Sequence, residues 1–438
     1  MAYTIKDILR IEVAPALGCT EPAAVALCAA AAVNLLPDKK FTSIEVSVDP
    51  NIFKNGMAVS IPGAGGGKGI ALATALGAFG GDPSLRLEVL EPVDDEIAER
   101  ARNFIHEKNV TLNLLKEKNH IYIHVKVTGG NNYAEAVIEE LHDSITSLKV
   151  NGKEVKASPL LASVSSKKNY LRDLETWLTK CSLVDLVALL DNLDSDDNAF
   201  LEEGIAYNMK LAEYGLRFGP GLGIGKTYER LVVEGILKKD MALQAKILTS
   251  AASDARMSGV KLPAMSSAGS GNHGLTALLP IWAAKDYLSG LDRERILKAL
   301  ALSHLITASV KAHTGRLSAV CGCSVAAGAG AAGGIAYLMG GAISHISSAI
   351  KNLISDLAGI ICDGAKDSCS LKLATAAGTA VQAALFSLHG IDVKATDGII
   401  ADSTEATIRN VGELSVKGMI ETDRTILDIM VEKNFNHA

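Results

Sequence analysis

The sequence predicts an α+β protein of 438 residues, a large all-α domain with a smaller α/β domain inserted after the N-terminal helices. Three observations carry that prediction. Short alternating stretches such as Ile44, Val46 and Val48 gather between residues 41 and 160 and read as strands. Beyond residue 170 nearly every segment has helical periodicity. From Leu317 to Ile350 there is no Asp, Glu, Lys or Arg, and the run is rich in Gly and Ala. Such a stretch suits helices packed closely at the centre of a fold. The expected divisions are 1–40 for N-terminal helices packing on the later ones, 41–160 for the α/β domain and 161–438 for the all-α domain.

Taken in order, residues 1 to about 36 read as helical. Ile5, Ile8, Leu9, Ile11 and Val13 precede Pro15, and Thr20 reads as the N-cap of an Ala-rich helix with Pro22 in its first turn. Phe41–Pro50 and Met57–Ile61 read as strands. Pro62-Gly63-Ala64-Gly65-Gly66-Gly67-Lys68-Gly69 opens a helix over 70–80. It is no P-loop: Pro stands where the first Gly is required, and Gly69 replaces the Ser/Thr that would hold magnesium. A glycine nest for a carboxylate or phosphate stays open. Leu85–Leu90 reads as a strand, Asp94–Glu107 as a helix, Val110–Lys116 and Ile121–Val127 as a hairpin, and Ala134–Leu148 as a helix. Lys156–Lys168 reads as a linker. Helices then follow at 170–178, 182–192, 197–215, 227–237, 239–256, 273–288, 292–310, 324–340, 342–358, 370–386 and 404–418, with a frayed tail from Val431.

Composition argues against several functions. The net charge is −6, without the concentrated basic face that nucleic-acid binding needs. Lys6 and Asp7 stand where the apolar core of a signal peptide would begin. Seven cysteines, an odd number in a long chain, read as a reducing, cytoplasmic compartment. The uncharged run is long enough for a membrane span. Gly, Ser and His interrupt it, however, and it lacks the Leu/Ile/Phe density and aromatic belts of one. Gly328–Gly333 matches GxGxxG with no strand before it, so a dinucleotide fold is not indicated. A small-molecule partner is expected, with neither nucleic acid nor membrane, and homo-oligomerisation stays open.

Four of the cysteines, Cys321, Cys323, Cys362 and Cys369, fall within 49 residues, and no CxxC occurs. Three thiolates from two segments suit an iron–sulfur cluster with one open iron. On spacing alone, packing in an Ala/Gly-rich core is the commoner explanation of the same cysteines. Cys19 stands just ahead of a helix N-terminus, where the dipole lowers a thiol's pKa. Met265-Ser266-Ser267-Ala268 leads into Gly269-Ser270-Gly271-Asn272-His273-Gly274, a loop able to offer backbone N–H groups to a carboxylate or simply to cap a helix. Arg316, the last cation before the uncharged run, either binds a carboxylate or ends a helix.

At Cys19-Thr20-Glu21-Pro22, Gly271-Asn272-His273-Gly274, Cys321-Gly322-Cys323 and Ile361-Cys362-Asp363-Gly364-Ala365-Lys366 the chain resembles the L-cysteine desulfidase family, related to the oxygen-sensitive iron–sulfur L-serine dehydratases. The resemblance covers nearly the whole chain. It implies a 4Fe–4S cluster held by three cysteines, with Cys362 and Cys369 at two ligand positions. Cys321 is taken as the third, because the segment after Cys323 resembles dehydratases in which the nearest cysteine is not the ligand. Cys19 matches the proposed base. Thr20, Ser267, Asn272, His273, Gly274 and Arg316 would surround the substrate. The Ser-Ser-His-Thr motif of the dehydratases is missing from the corresponding region, which favours a desulfidase. The implied activity is that of a carbon–sulfur lyase, turning L-cysteine and water into pyruvate, ammonia and hydrogen sulfide through aminoacrylate. An L-serine dehydratase, or a lyase for another β-substituted amino acid, is the alternative within the class. A non-catalytic small-molecule sensor with structural cysteines is the alternative outside it.

Overall fold

The computed structural model describes residues 3–118, 120–161, 164–315 and 318–435. The first helix, α1 (Ile5–Glu12), is started by its own sequence: the Asp7 N–H donates to the Thr4 hydroxyl and the Thr4 N–H to the Asp7 carboxylate. A short strand, β1 (Pro15–Leu17), then leads into α2 (Thr20–Val33), every residue of which is buried. Cys19, not Thr20, occupies the N-cap of α2, with Thr20 its first helical residue. That corrects the cap expected from sequence.

Next come β2 (Ser43–Val48), α3 (Pro50–Gly56), α4 (Ile70–Gly80), α5 (Asp95–His106), β3 (Val110–Leu114), β4 (Tyr122–Gly129), β5 (Asn132–Glu139), β6 (Ile145–Val150) and β7 (Lys153–Glu154). The strands form one six-stranded sheet ordered β3-β2-β4-β5-β6-β7, parallel only between β2 and β3. One face buries Ile44, Val46, Val48, Ile123, Val125, Val127 and Ile138 in a core shared with α2 and α4. At about 25 cal/mol per Å² of apolar area, such side chains give the sheet its main reason to hold this register. The core is also the reason α2 belongs with the sheet, which corrects the expectation that residues 20–33 pack on the later helices. By contrast α1 contributes Ile5, Ile8 and Leu9 to the helical core.

Four further expectations fail here. Ala134–Leu148 is not a helix but β5, a turn and most of β6. Its Ala- and Glu-rich composition favours helix, yet Ala134, Ala136 and Ile138 alternate into the core, and partners on both sides outweigh propensity. Val110–Lys116 and Ile121–Val127 hold strands but no hairpin, because β2 lies between them: Val46 pairs with Leu112 on one side and Val125 on the other. Leu85–Leu90 falls in and beyond a 3₁₀ turn, Pro83–Glu88, started by the Asp82 carboxylate. Met57–Ile61 makes no strand, only an isolated bridge from Ser60 to Lys68.

The rest is helical except for one short strand: α6 (Val164–Leu178), α7 (Leu183–Ala188), α8 (Ser195–Phe218), α9 (Ile224–Val233), α10 (Met241–Met257), β8 (Pro263–Met265), α11 (Gly271–Ala284), α12 (Arg293–Thr314), α13 (Ala326–Leu338), α14 (Ile343–Leu357), α15 (Cys369–Leu388), α16 (Thr404–Glu413) and α17 (Ile420–Phe435). The last helix occupies part of the tail expected to fray. The uncharged run becomes α13 and the first half of α14, broken by a turn at 339–342, rather than one span. Its glycines let α13 lie against α12: a Cβ at Gly330 would stand 2.4 Å from the Ser303 carbonyl oxygen. Among the described residues α15 alone is long and apolar enough to cross a bilayer, and 56% of its apolar window is buried within the fold.

Candidate active site

Strand β1 pairs with β8 in antiparallel register, Ala16 opposite Ala264, and so brings the segment before α2 to the segment before α11. Arg256, near the end of α10, ties the two together. Its Nη2 donates to the Gly18 carbonyl at 2.6 Å and its Nη1 to Asn272 Oδ1 at 3.0 Å. The guanidinium is 2% exposed, and its Nε has no protein acceptor. Gly271 makes room for it, since a Cβ there would stand 2.3 Å from Arg256 Nε. A buried cation whose neighbours here are a carbonyl and an amide is prepared for an anion. The N-terminus of α11, which opens at Gly271, adds the positive end of its dipole to the same attraction.

Cys19 and Arg256 line one cavity of about 90 Å³, together with Asn272, His273, Cys321, Cys323, Cys362 and Cys369. Five of the seven cysteines therefore meet at one place. Cys19 donates from Sγ to Glu21 Oε2 at 3.0 Å, and Thr20 Oγ1 donates to the same oxygen at 3.0 Å. Burial, then the Glu21 charge, pushes the Cys19 thiol well above its ordinary range, against the pull of Arg256. The depressed thiol expected from the helix dipole is thus corrected. A helix terminus contributes about 0.3–1 kcal/mol at typical sites, while burial shifts a pKa by up to several units.

The other four cysteines sit among cations and hydrogen-bond donors. A hydrogen bond from the Cys323 thiol, helped by Ser324, outweighs burial and brings Cys321 down to about 6, while Cys323 itself is raised. Burial raises Cys362, and raises Cys369 to about 11, against the opposing charges of Lys54 at Cys362 and Lys366 at Cys369. The charges of Cys321 and Cys362 are both felt at Cys369, and all three thiols line the same cavity. Lys372 donates to Asp363 Oδ1 at 2.6 Å and to the Ile361 carbonyl at 2.8 Å, fixing the loop between the two cysteines. Burial alone would raise Asp363, but hydrogen bonds from Lys366 and Lys372 hold it at about 2. Gly364, at φ +93°, passes so close to α3 that a Cβ would stand 2.2 Å from the Lys54 carbonyl oxygen. Gly322 likewise leaves space for the His273 ring, 2.4 Å from where its Cβ would be.

Of the residues expected from sequence, Cys19, Asn272, His273, Cys321, Cys362 and Cys369 line the cavity. Three do not. Thr20 is spent on Glu21. Ser267 is fully buried behind the loop, where its hydroxyl meets His304 Nδ1 at 2.9 Å. Gly274 packs on β8, its Cβ position 1.9 Å from the Met265 carbonyl oxygen. Arg316 lies outside the described residues. The Pro62–Gly69 loop does not line the cavity either, although its Lys68 pairs with Asp367 at 2.7 Å. Sequence reasoning missed Glu21, Asn55, His142, Arg256, Lys311 and Lys372. The signal for Arg256 was present: a lone arginine in the small, apolar end of α10. Asn55 and His142 come from the sheet side of the molecule, and nothing local in their sequence points here.

The model of the serine dehydratase alpha chain family matches residues 85–428, which includes every cavity residue named above except Cys19, Glu21 and Asn55. This chain belongs to that family. It is also 60% identical over 438 residues to a UPF0597 protein of Desulfatibacillum aliphaticivorans, the match covering 100% of both chains. A UPF0597 protein of Desulfotalea psychrophila is 56% identical over 435 residues, 99% of each chain. One of Clostridioides difficile is 41% identical over 428 residues, 98% of this chain and 99% of that one. Family membership makes the chain a serine dehydratase-like lyase. Among the described residues no three His, Cys, Asp or Glu groups converge tightly enough to hold one metal ion. A cluster spreads its ligands over several irons and does not require such convergence.

Proposed function

We propose that this dehydratase-like lyase is an iron–sulfur-dependent L-cysteine desulfidase acting in the cytoplasm. The observation that carries the reading is four neighbouring thiols sharing one small cavity with Cys19. The donor set fits a 4Fe–4S cluster, because Lys54, Lys366 and Lys372 offset the negative charge that thiolates would bring. Cys321, Cys362 and Cys369 would hold it, and when bound it supplies a Lewis acid with an affinity for sulfur leaving groups.

The rest is the work of the chain. Arg256 and the N–H groups at the start of α11 hold the substrate carboxylate, with Asn272 fixing the guanidinium. Cys19, once its thiol has given up its own proton, takes the α-proton, the β-sulfur leaves, and the aminoacrylate released hydrolyses to pyruvate and ammonia. The family's description favours a second reading, elimination of water from L-serine.

One experiment tests both. Protein purified and reconstituted anaerobically is expected to be brown, to contain iron, and to release sulfide and pyruvate from L-cysteine faster than pyruvate from L-serine. Colourless, iron-free protein after reconstitution sinks the cluster. Preference for L-serine replaces the desulfidase with the dehydratase.

A further inference from the structure

Among the described residues Glu21 is the one acidic side chain lining the cavity, against the cations Arg256, Lys311 and Lys372. It is 6% exposed. Its Oε2 receives the Cys19 thiol and the Thr20 hydroxyl, each at 3.0 Å. Its Oε1 stands 3.9 Å from His142 Nε2, which comes from the turn between β5 and β6. Asp49, at the start of α3, also feels the Glu21 charge. Nothing so far gives this carboxylate a task, and burying one without a task is costly.

We propose that Glu21 is the proton acceptor for Cys19, so that thiol and carboxylate work as one proton-sharing pair. This rests on the lyase reading above and assigns the proton within it. Cys19 passes its proton to Glu21 along the 3.0 Å hydrogen bond and becomes a thiolate. The thiolate takes the substrate's α-proton. The Cα–H electron pair forms the Cα–Cβ double bond, and the β-substituent leaves with the electrons of its own bond. Glu21 then returns its proton to the departing group. At the end Cys19 is again a thiol and Glu21 a carboxylate, so protons and electrons balance. His142 faces the carboxylate from the sheet side at 3.9 Å, and Arg256 is the cation whose charge acts on Cys19. His273, Lys311 and Lys372 are the remaining charged or titratable groups on the cavity outside the cysteine set.

The test compares the wild-type chain with Glu21→Gln and Glu21→Asp, all reconstituted anaerobically. Iron content, the pH midpoint of Cys19 alkylation by iodoacetamide (read by peptide mass mapping) and turnover are measured together. Glu21→Gln removes a negative charge beside the thiol, so the alkylation midpoint is expected to fall by about one pH unit or more. Turnover should nevertheless fall roughly 100-fold, with KM changing little, because the proton has lost its acceptor. A thiol that ionises more readily yet works less well is the signature of the pair. Glu21→Asp keeps the charge, so it should leave the midpoint near wild type and retain part of the turnover. Retained turnover in Glu21→Gln, an unmoved midpoint, or loss of iron in that variant each overturns the proposal. A wild-type chain with full iron and no turnover of any β-substituted amino acid sinks the lyase reading. The midpoint shift then still decides whether Glu21 and Cys19 share a proton.

Discussion

Cys19 and Cys369 both stand at the start of a helix and both are buried, α2 in one case and α15 in the other. Burial raises both thiols, and the neighbours then part company. Cys19 donates to a carboxylate whose charge raises it further. Cys369 has Lys366 pulling it down, on a wall where Lys54 and Lys372 act in the same sense on Cys362. A helix N-terminus therefore does not decide the state of a thiol. Burial raises both, and nearby charge then sets the difference: cations oppose the rise on one wall, while a carboxylate adds to it on the other.

The largest effect expected from that difference belongs to the wall with the cations. Cys362→Ala removes a thiolate and leaves Lys54 and Lys372 facing a gap. Iron content after reconstitution should drop to near zero and sulfide release with it. Cys19→Ala should behave differently, keeping the iron and its colour while kcat falls by about 10²–10⁴, the range for a lost acid–base group. Iron and rate measured side by side decide. If Cys19→Ala also loses its iron, the two walls are not distinct.

Much of this was legible in the sequence, and what was not has a physical cause. Cysteine and glycine motifs are local, and the segments at 19–22, 271–274, 321–323 and 362–369 do reach one cavity. Helix periodicity beyond residue 170 was equally local. The failures that matter most for the site were cases where a distant partner decides. Residues 134–148 prefer helix until β4 offers a full register of pairs. Cys19 reads as acidic until the fold buries it against Glu21. His142 joins the site only because the turn between β5 and β6 ends beside α2.

A smaller effect is expected at Arg256, on the Cys19 wall. Lysine keeps the charge but cannot make both contacts of the planar fork, to Gly18 and to Asn272, while facing a third group. Arg256→Lys should raise KM by about 10-fold or more, with a lesser change in kcat. That split is the pattern of lost ground-state binding rather than lost chemistry. Should kcat fall as far as it does in Cys19→Ala while KM stays fixed, Arg256 acts on the thiolate and not on the substrate carboxylate.

The smallest effect should come from Cys323, and it sharpens the ligand choice on the wall with the cations. Interaction with the Cys323 thiol is the largest cause of the lowered Cys321 pKa, beside the Ser324 hydroxyl that donates to Cys321 Sγ at 3.4 Å. A residue that spends its proton on stabilising a neighbouring thiolate is a poor thiolate itself, as its own raised pKa indicates. Cys323→Ser keeps a hydroxyl donor in nearly the same position, so the hydrogen bond to Cys321 persists, in a class worth about 1.5–3 kcal/mol. Iron content should stay near wild type and turnover within roughly threefold, since a hydrogen-bond donor is exchanged and no ligand is lost. Cys321→Ser, by the same logic, replaces a soft ligand with a hard one and should lose the iron. The reverse result, iron kept in Cys321→Ser and lost in Cys323→Ser, would mean that Cys323 is the ligand and that its proton is displaced when iron binds.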